Sequence, residues 1–166
     1  MQQPPPPANW APPIQTGPAP GVSYAGAGQR LIAYIVDGFI MGLIVWFFII
    51  VGTVIAGVSA SGNTVNGGGV AVGGIFLLVG IAVDILWKPY WWSHGGQTPA
   101  YKMLHLRVVR EQDGGPLGFG QAFLRFIGYI INDIVFGIPL GFIWVLFDGR
   151  RQGWHDKIAN TVVITA

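Results

Sequence analysis

The sequence predicts an all-α membrane protein with two transmembrane helices and a third apolar block that is either a kinked span or a helical hairpin. Only 10% of the 166 residues are charged, whereas roughly 25% is usual in soluble proteins, so too few are available to cover a globular surface. Hydrophobic residues make up 52% of the chain, and the mean hydropathy is +0.54. Two apolar runs, 31–56 and 70–87, approach or exceed the roughly 20 residues that cross a bilayer.

The composition also excludes several functional classes. The chain has no cysteine, which excludes a disulfide-stapled module and a cysteine nucleophile. His94, His105 and His155 lack the spacing of metal ligands, and the glycine run 67–69 lacks the lysine and hydroxyl residue of a phosphate-binding loop. The basic residues are scattered and the net charge is only +2, so nucleic acid is not an expected partner. We expect no metal, no cofactor and no enzymatic activity.

Residues 1–29 are predicted to form a disordered, proline-rich cytoplasmic tail, and 30–166 a membrane domain. The tail has no charged side chain and holds eight of the twelve prolines, including the run Pro4–Pro7. It lacks the basic start and apolar stretch of a secretory signal, so no cleavage is expected. Such a tail is a spacer in the simpler interpretation and a docking segment for an aromatic groove in the other.

The first two spans are separated by the uncharged, glycine-rich loop 57–69. Asp37 is the one charge in 31–56, and Asp84 is the one charge in 70–87. The second span ends in a cluster of tryptophan, tyrosine and lysine, which is typical of the headgroup layer.

The loop 88–121 is the largest polar region of the chain. Its residues Leu104, Leu106 and Val108 alternate with polar ones, and the turn signal Asp113–Pro116 follows. This pattern predicts a short amphipathic hairpin at the membrane surface.

The third apolar block, 122–147, is interrupted by Pro139 between two glycines. It is either one kinked span or two short helices that return to the starting side. Lysine and arginine are absent from 57–69, but four lie in 88–121 and three in the tail 148–166. The positive-inside rule therefore places the N-terminus, the loop and the tail in the cytoplasm, which favours the hairpin.

Acidic residues inside the apolar blocks are the candidate functional groups, because a carboxylate at a helix centre costs about 2.5–3.5 kcal/mol on insertion scales. Helical spacing places two of these aspartates on one stripe with an arginine and a tyrosine. The stripes are Arg30, Tyr34 and Asp37 in the first span, and Arg125, Tyr129 and Asp133 in the third block. The arginines could therefore pair crosswise with the aspartates. Such pairs either carry protons and cations or neutralise one another and fix the helix register.

Three further positions are of secondary interest. Asp84 lies three residues before Trp87, close enough to the interface to be solvated. Arg151 and His155 belong to the tail that would close the cytoplasmic side. A polar contact that ties the tail to the membrane surface is the preferred role of His155.

Several motifs together resemble the RDD family of integral membrane proteins, namely Gly28–Asp37, Gly96–Pro99, Leu106–Val109, Arg125 and Asp148–Val163. The proline-rich leader is similar to that of the proline-rich antigen-like members. The resemblance assigns the arginine of the family name to Arg30 and the first aspartate to Asp37. The second aspartate corresponds to Asp156, with Asp133 as the alternative. The sequence departs from the family's Thr-Pro-Gly-Lys pattern at 100–102 and carries His105 where glycine is common.

The resemblance implies a multi-pass protein of the cytoplasmic membrane whose general function is undefined, with transport of a small ligand or cation/proton exchange as the expectation. Its partners would be the lipid bilayer and a second copy or another membrane protein. The alternative is a membrane scaffold or accessory protein that recruits partners through its proline-rich tail.

Overall fold

The computed structural model describes residues 17–19, 21–60, 66–136 and 143–166, without the side chains of 60 and 132–136. The predicted disorder of the proline-rich tail concerns residues that lie mostly outside this part of the chain. So do the side chain of Asp133 and the break around Pro139.

Two long helices dominate the structure. Helix α1 spans Ala27–Ala60 and helix α2 spans Gly67–Ser93, so both extend beyond the predicted apolar runs. Within the described residues, these two helices are long and apolar enough to cross a membrane, and only 11% of the most apolar window of each is buried in the protein. Their aliphatic side chains therefore need a lipid environment. The prediction of a mostly helical membrane protein is confirmed.

Glycines set the contact between α1 and α2. A Cβ atom at Gly73 would lie 2.6 Å from the carbonyl oxygen of Gly52, and one at Gly52 would lie 2.9 Å from that of Gly73. Only glycine at both positions permits this approach of the two backbones. Asn66 begins α2, because its side chain accepts hydrogen bonds from the backbone N–H groups of Gly68 and Gly69.

The polar loop contains the short helix α3, Pro99–Met103, and the strand β1, Leu106–Arg110. Strand β1 pairs antiparallel with β2, Thr161–Thr165, with Val108 opposite Val163. This corrects the expectation of a hairpin within the loop. The turn after β1 does form, but only residues 115–118 remain before helix α4 begins at Phe119, and β1 pairs along its whole length with β2.

Helix α4, Phe119–Phe136, is the first part of the third apolar block. It is followed in the described tail by the short helix α5, Trp154–Ala159, and then by β2. Because β2 pairs with the loop that precedes α4, the segments 106–110 and 161–165 on either side of the third block lie together.

The N-terminal segment joins the same side of the molecule. The backbone N–H of Ala25 donates to the carbonyl of Val163 at 2.9 Å, and that of Thr165 donates to the carbonyl of Ser23 at 3.0 Å. We call this side the capped end; it comprises Ser23–Ala25, residues 94–118 and residues 148–166. The buried apolar core lies in the capped end and in the adjoining turns of the long helices, and it includes Ala25, Trp92, Tyr101, Leu106, Val108, Tyr129 and Val163.

Candidate functional site

A group of buried polar side chains joins α1, α4 and α5 beneath the capped end. We call Arg30, Arg125, His155 and Asp156 the charge cluster; all four side chains are fully buried. Arg30 lies in the first turn of α1, Arg125 in the second turn of α4, and the other two in α5. Three elements far apart in sequence therefore meet at one acidic group.

Asp156 is the centre of the charge cluster. One carboxylate oxygen pairs with Arg30, and the other lies 2.8 Å from Nη2 of Arg125 as an ion pair. The backbone N–H of Gly153 donates to Asp156 at 2.9 Å, and the hydroxyl of Thr161 lies 3.3 Å away. A carboxylate in the first turn of a helix also complements the helix dipole, which explains why the sequence places it there.

The electrostatics of the charge cluster follow from burial and the two arginines. Burial opposes ionisation of Asp156, but the charges of Arg125 and Arg30 outweigh it and hold the pKa of that carboxyl well below its usual range. Burial lowers the pKa of the His155 imidazole to about 4, which keeps the ring neutral at neutral pH. Two cations and one anion then leave the cluster with one excess positive charge.

Aromatic rings surround this excess charge. The guanidinium carbon of Arg125 lies 4.5 Å from the ring centroid of Trp92 and 5.9 Å from that of Tyr129. Tyr129 also stacks on His155 at 3.9 Å. None of the three side-chain nitrogens of Arg125 makes a hydrogen bond within the described residues, so the ion pair of Nη2 with Asp156 and the ring faces stabilise this cation.

Asp37 makes a separate connection between α1 and the polar loop. Its carboxylate accepts a hydrogen bond from the Thr98 hydroxyl at 2.5 Å and another from the backbone N–H of Ala100 at 3.2 Å. Thr98 in turn caps α3. The crosswise pair of Arg125 with Asp37 is not formed, because Arg125 pairs with Asp156 instead.

A cavity of about 560 Å³ opens between α1, α2 and α4. Its walls include three charged residues, Asp37, Asp84 and Lys88. Gly38 and Gly42 of α1 face it without any side chain to fill the space, and the remainder of the lining is aliphatic and aromatic. At 1.5 Å per residue, Asp37 lies about 15 Å along α1 from Ala27. The cavity therefore belongs to the half of the helix pair nearer the capped end.

Lys88 lies over the rings of two tyrosines in the lining of this cavity. The rings of Tyr34 and Tyr129 are nearly parallel, with centroids 6.2 Å apart. Nζ of Lys88 lies 4.9 Å from the first centroid and 4.7 Å from the second. We call these three residues the tyrosine cage.

The other predicted residues occupy varied places. Asp84 is exposed on the cavity wall. The exposed side chain of Arg151 takes no part in the charge cluster, but its backbone carbonyl accepts a hydrogen bond from Arg30. Arg151 has a φ of 51°, and the chain turns toward α5 at this residue. The side chain of Asp133 lies outside the described residues.

Sequence reasoning did not identify Thr98, Trp92 or Lys88 as site residues. Lys88 follows Asp84 by four positions, so the two lie on one face of α2, a signal that could have placed them together. Trp92 continues the same spacing. Thr98 became a partner of Asp37 only through a contact between residues 61 positions apart. Among the described residues, no group of three or more His, Asp or Glu could hold a metal ion.

The family model described as RDD family matches residues 24–160, which include the charge cluster, Asp37 and the tyrosine cage. The chain belongs to the RDD family. The arginine and the two aspartates assigned by resemblance, Arg30, Asp37 and Asp156, all lie within the matched range.

This RDD protein is similar to curated proteins from several bacteria. It is 33% identical over 90 residues to the proline-rich antigen homolog of Mycobacterium tuberculosis (strain CDC 1551 / Oshkosh), a match that covers 53% of this chain and 36% of the relative. It is 32% identical over 149 residues to the protein YxaI of Bacillus subtilis (strain 168), which covers 84% and 96% of the two chains. The match thus spans about a third of the mycobacterial relative. No solved structure matches the chain.

Proposed function

We propose that this RDD protein is a multi-pass protein of the cytoplasmic membrane that exchanges a small cation for protons through the cavity at Asp37. The observation that carries the proposal is the position of this carboxylate, which lines a cavity of about 560 Å³ between three helices. An acidic side chain within a spanning helix costs free energy on insertion. Such a residue is therefore a candidate for an ion pathway or for a specific contact. We assign no catalytic role to the chain.

The proposed orientation places the capped end and the N-terminus in the cytoplasm. The residues that link α1 to α2, 61–66, include no lysine or arginine. The capped end carries Lys102, Arg107, Arg110, Arg150, Arg151 and Lys157. This asymmetry is the one that the positive-inside rule associates with a cytoplasmic side.

The hydrogen bonds of Asp37 give proton binding a structural consequence. The ionised carboxylate accepts from both Thr98 and the backbone of Ala100, and so holds α3 against α1. A protonated carboxyl group has one acceptor oxygen fewer and must donate its own proton. A proton and a cation would therefore compete for Asp37, and the loop containing α3 would loosen when the proton binds.

The test is cation-driven pH change in proteoliposomes that contain the purified full chain. A gradient of Na⁺, K⁺ or Li⁺ is expected to move protons, and Asp37→Asn is expected to abolish this flux. Asp113→Asn is the matched control, since that carboxylate lies in the exposed turn of the loop. Equal flux for Asp37→Asn and the unchanged chain would refute the role of Asp37, and no flux with any of the three cations would refute exchange of these metal cations.

We also propose that the protein works as a homo-oligomer or with a partner membrane protein. The few apolar helices of one chain enclose little volume for a pathway. Cross-linking in the proteoliposomes measures the state that carries flux. A preparation that stays monomeric and retains full flux would contradict this part.

The second candidate function is a membrane scaffold that recruits partners through its proline-rich tail. It is favoured by the contacts of Ser23 and Ala25 with β2, which fix the point where the tail leaves the capped end. It is also favoured by the complete burial of the charge cluster, which gives those charges a holding role. Deletion of Gln2–Pro20 should abolish partner recovery if the protein is a scaffold, whereas exchange predicts unchanged flux.

A further inference from the structure

We infer that the cavity between α1, α2 and α4 binds organic cations that carry a substituted ammonium group, and that the Lys88 ammonium occupies the same position when no ligand is bound. The inference rests on the proposed function because it names the ligand class of the same cavity. It concerns binding, which can be measured without transport.

The tyrosine cage is the first observation. Two parallel aromatic rings 6.2 Å apart, with an ammonium nitrogen 4.7–4.9 Å from both centroids, form an arrangement that recognises alkylammonium groups. Here the ammonium belongs to the chain itself. Lys88 thus shows which chemical group this part of the wall accommodates.

The size of the cavity is the second observation. A volume of about 560 Å³ lies within the range of roughly 300–1,000 Å³ that is usual for small-molecule sites and is far larger than a bare metal ion requires. Phe126 and Trp87 add two further aromatic rings to the lining, and Gly38 and Gly42 contribute no side chain to it. The lining therefore suits a ligand with an apolar body.

The charges that line the cavity are the third observation. Asp37 and Asp84 contribute two carboxylates, while Lys88 contributes one ammonium. Among the described lining residues, the two carboxylates outnumber the one ammonium, and displacement of that ammonium would leave both carboxylates to balance the ligand. A cation is therefore favoured over a neutral molecule of the same shape.

The Lys88 ammonium competes with the ligand for the rings of Tyr34 and Tyr129. The Lys88 side chain is flexible and remains attached to α2, so a ligand must displace the ammonium from its position over the rings of Tyr34 and Tyr129. Replacement of Lys88 by methionine keeps the apolar stem but removes the charge. This change should vacate the cage and strengthen the binding of an external ammonium.

The experiment is isothermal titration calorimetry on the full chain in lipid nanodiscs, with choline as the cation and 3,3-dimethylbutan-1-ol as its uncharged isostere. Choline is expected to bind and the alcohol is not. Lys88→Met should tighten choline binding at least about tenfold, whereas Lys88→Arg, which keeps a cation in place, should not. Unchanged or weaker binding to a folded Lys88→Met chain would overturn the inference, as would equal binding of the alcohol.

A second variant keeps the test decisive where Lys88→Met fails to fold. Tyr34→Leu removes one wall of the cage in the chain that retains Lys88 and should weaken choline binding about tenfold. Undiminished choline binding to Tyr34→Leu would overturn the inference. Circular dichroism and the thermal midpoint establish the folding of each variant.

The two proposals fail separately. Choline binding with the expected response to Lys88→Met, without Asp37-dependent proton flux under a gradient of choline or of the three metal cations, would support the ligand class and refute exchange. Proton flux that requires Asp37, without choline binding, would support exchange and refute the ligand class.

Discussion

At the scale of single residues, the charge cluster contains one buried carboxylate that forms ion pairs with two buried guanidinium groups. Asp156 accepts from Gly153 and pairs with both Arg30 and Arg125, so its oxygens are fully used. Arg125 relies on Trp92 for part of its stabilisation. Removal of the shared anion would leave two fully buried guanidinium groups without their carboxylate partner.

Asp156→Asn is therefore expected to destabilise the protein strongly. The loss should be about 3–5 kcal/mol, the amount typical when one partner of a buried ion pair is removed. Chemical denaturation in detergent, followed by circular dichroism, measures it. Asp113→Asn is the control, since its ion pair with Arg110 is solvent-exposed and should not change stability measurably. Equal stability of the two variants would show that the charge cluster contributes no net stabilisation.

His155 predicts a dependence of stability on pH. The pKa of this imidazole is about 4 in the folded protein and about 6.5 in an unfolded chain. Between these values the unfolded chain binds a proton and the folded protein does not, so stability should fall as the pH drops from 6.5 toward 4. The depressed pKa of Asp156 adds a further loss only below about pH 4.

The apparent thermal midpoint of the full chain, measured between pH 7.5 and 4.5, tests this dependence. His155→Gln should flatten the curve, since the titrating group is gone. His94→Gln replaces an exposed histidine and should leave the curve unchanged. A slope that persists in His155→Gln would assign the effect to another group.

At the scale of elements, the contact between α4 and α5 positions Asp156. A Cβ atom at Gly128 would lie 2.8 Å from the Cα atom of His155, so α5 packs directly on the backbone of α4. The amide side chain of Gln121 donates to the carbonyl of Ala159 at 2.7 Å and fixes the other end of α5. The short helix α5 depends on these contacts, because isolated helices of this length are unstable.

Gly128→Leu should detach α5 from α4. The added side chain meets backbone atoms of His155, which cannot rotate away, so residues 154–165 should lose protection from hydrogen exchange. Gly120→Leu in the same helix is the matched control, since a Cβ at that position meets nothing within 4 Å. If the amides of α5 and β2 exchange at equal rates in the two variants, the packing argument is wrong.

At the scale of the whole molecule, the capped end closes the helix pair on one side. The strand pair of β1 with β2, extended by Tyr24 opposite Ile164, ties the N-terminal segment, the loop and the tail together. The opposite end of the helix pair, at Gly67, carries no comparable structure among the described residues. The molecule is therefore strongly asymmetric along the direction that a membrane would define.

Single cysteines should report this asymmetry, and the absence of native cysteine makes the measurement direct. Met103→Cys and Ala166→Cys lie at the capped end and should react with a membrane-impermeant maleimide only from the cytoplasmic side. Gly67→Cys, at an exposed position without neighbours, should react only from the opposite side. Labelling of Ala166→Cys from the same side as Gly67→Cys would contradict the hairpin and the structure of the capped end.

Local features of the sequence were sufficient to predict the two long helices, because 26 and 18 apolar residues leave few alternatives to a membrane span. Helical spacing also placed Arg30 with Asp37, and Arg125 with Tyr129, on common faces. The alternation of Leu104, Leu106 and Val108 indicated extended structure in the loop. In each case the relevant residues are close in sequence, so the backbone period alone relates them.

Only the tertiary structure decided which distant groups meet. Arg30 and Asp156 are 126 residues apart, and no periodicity distinguishes this partner from Asp133 or Asp37. β1 paired with the end of the chain, although its turn signal indicated a local hairpin. The sequence around Lys88 is typical of an interfacial anchor. In the structure, helices α1 and α4 place the rings of Tyr34 and Tyr129 next to its ammonium. Long-range pairing depends on how whole elements pack, and that information is not contained in the local pattern of any one segment.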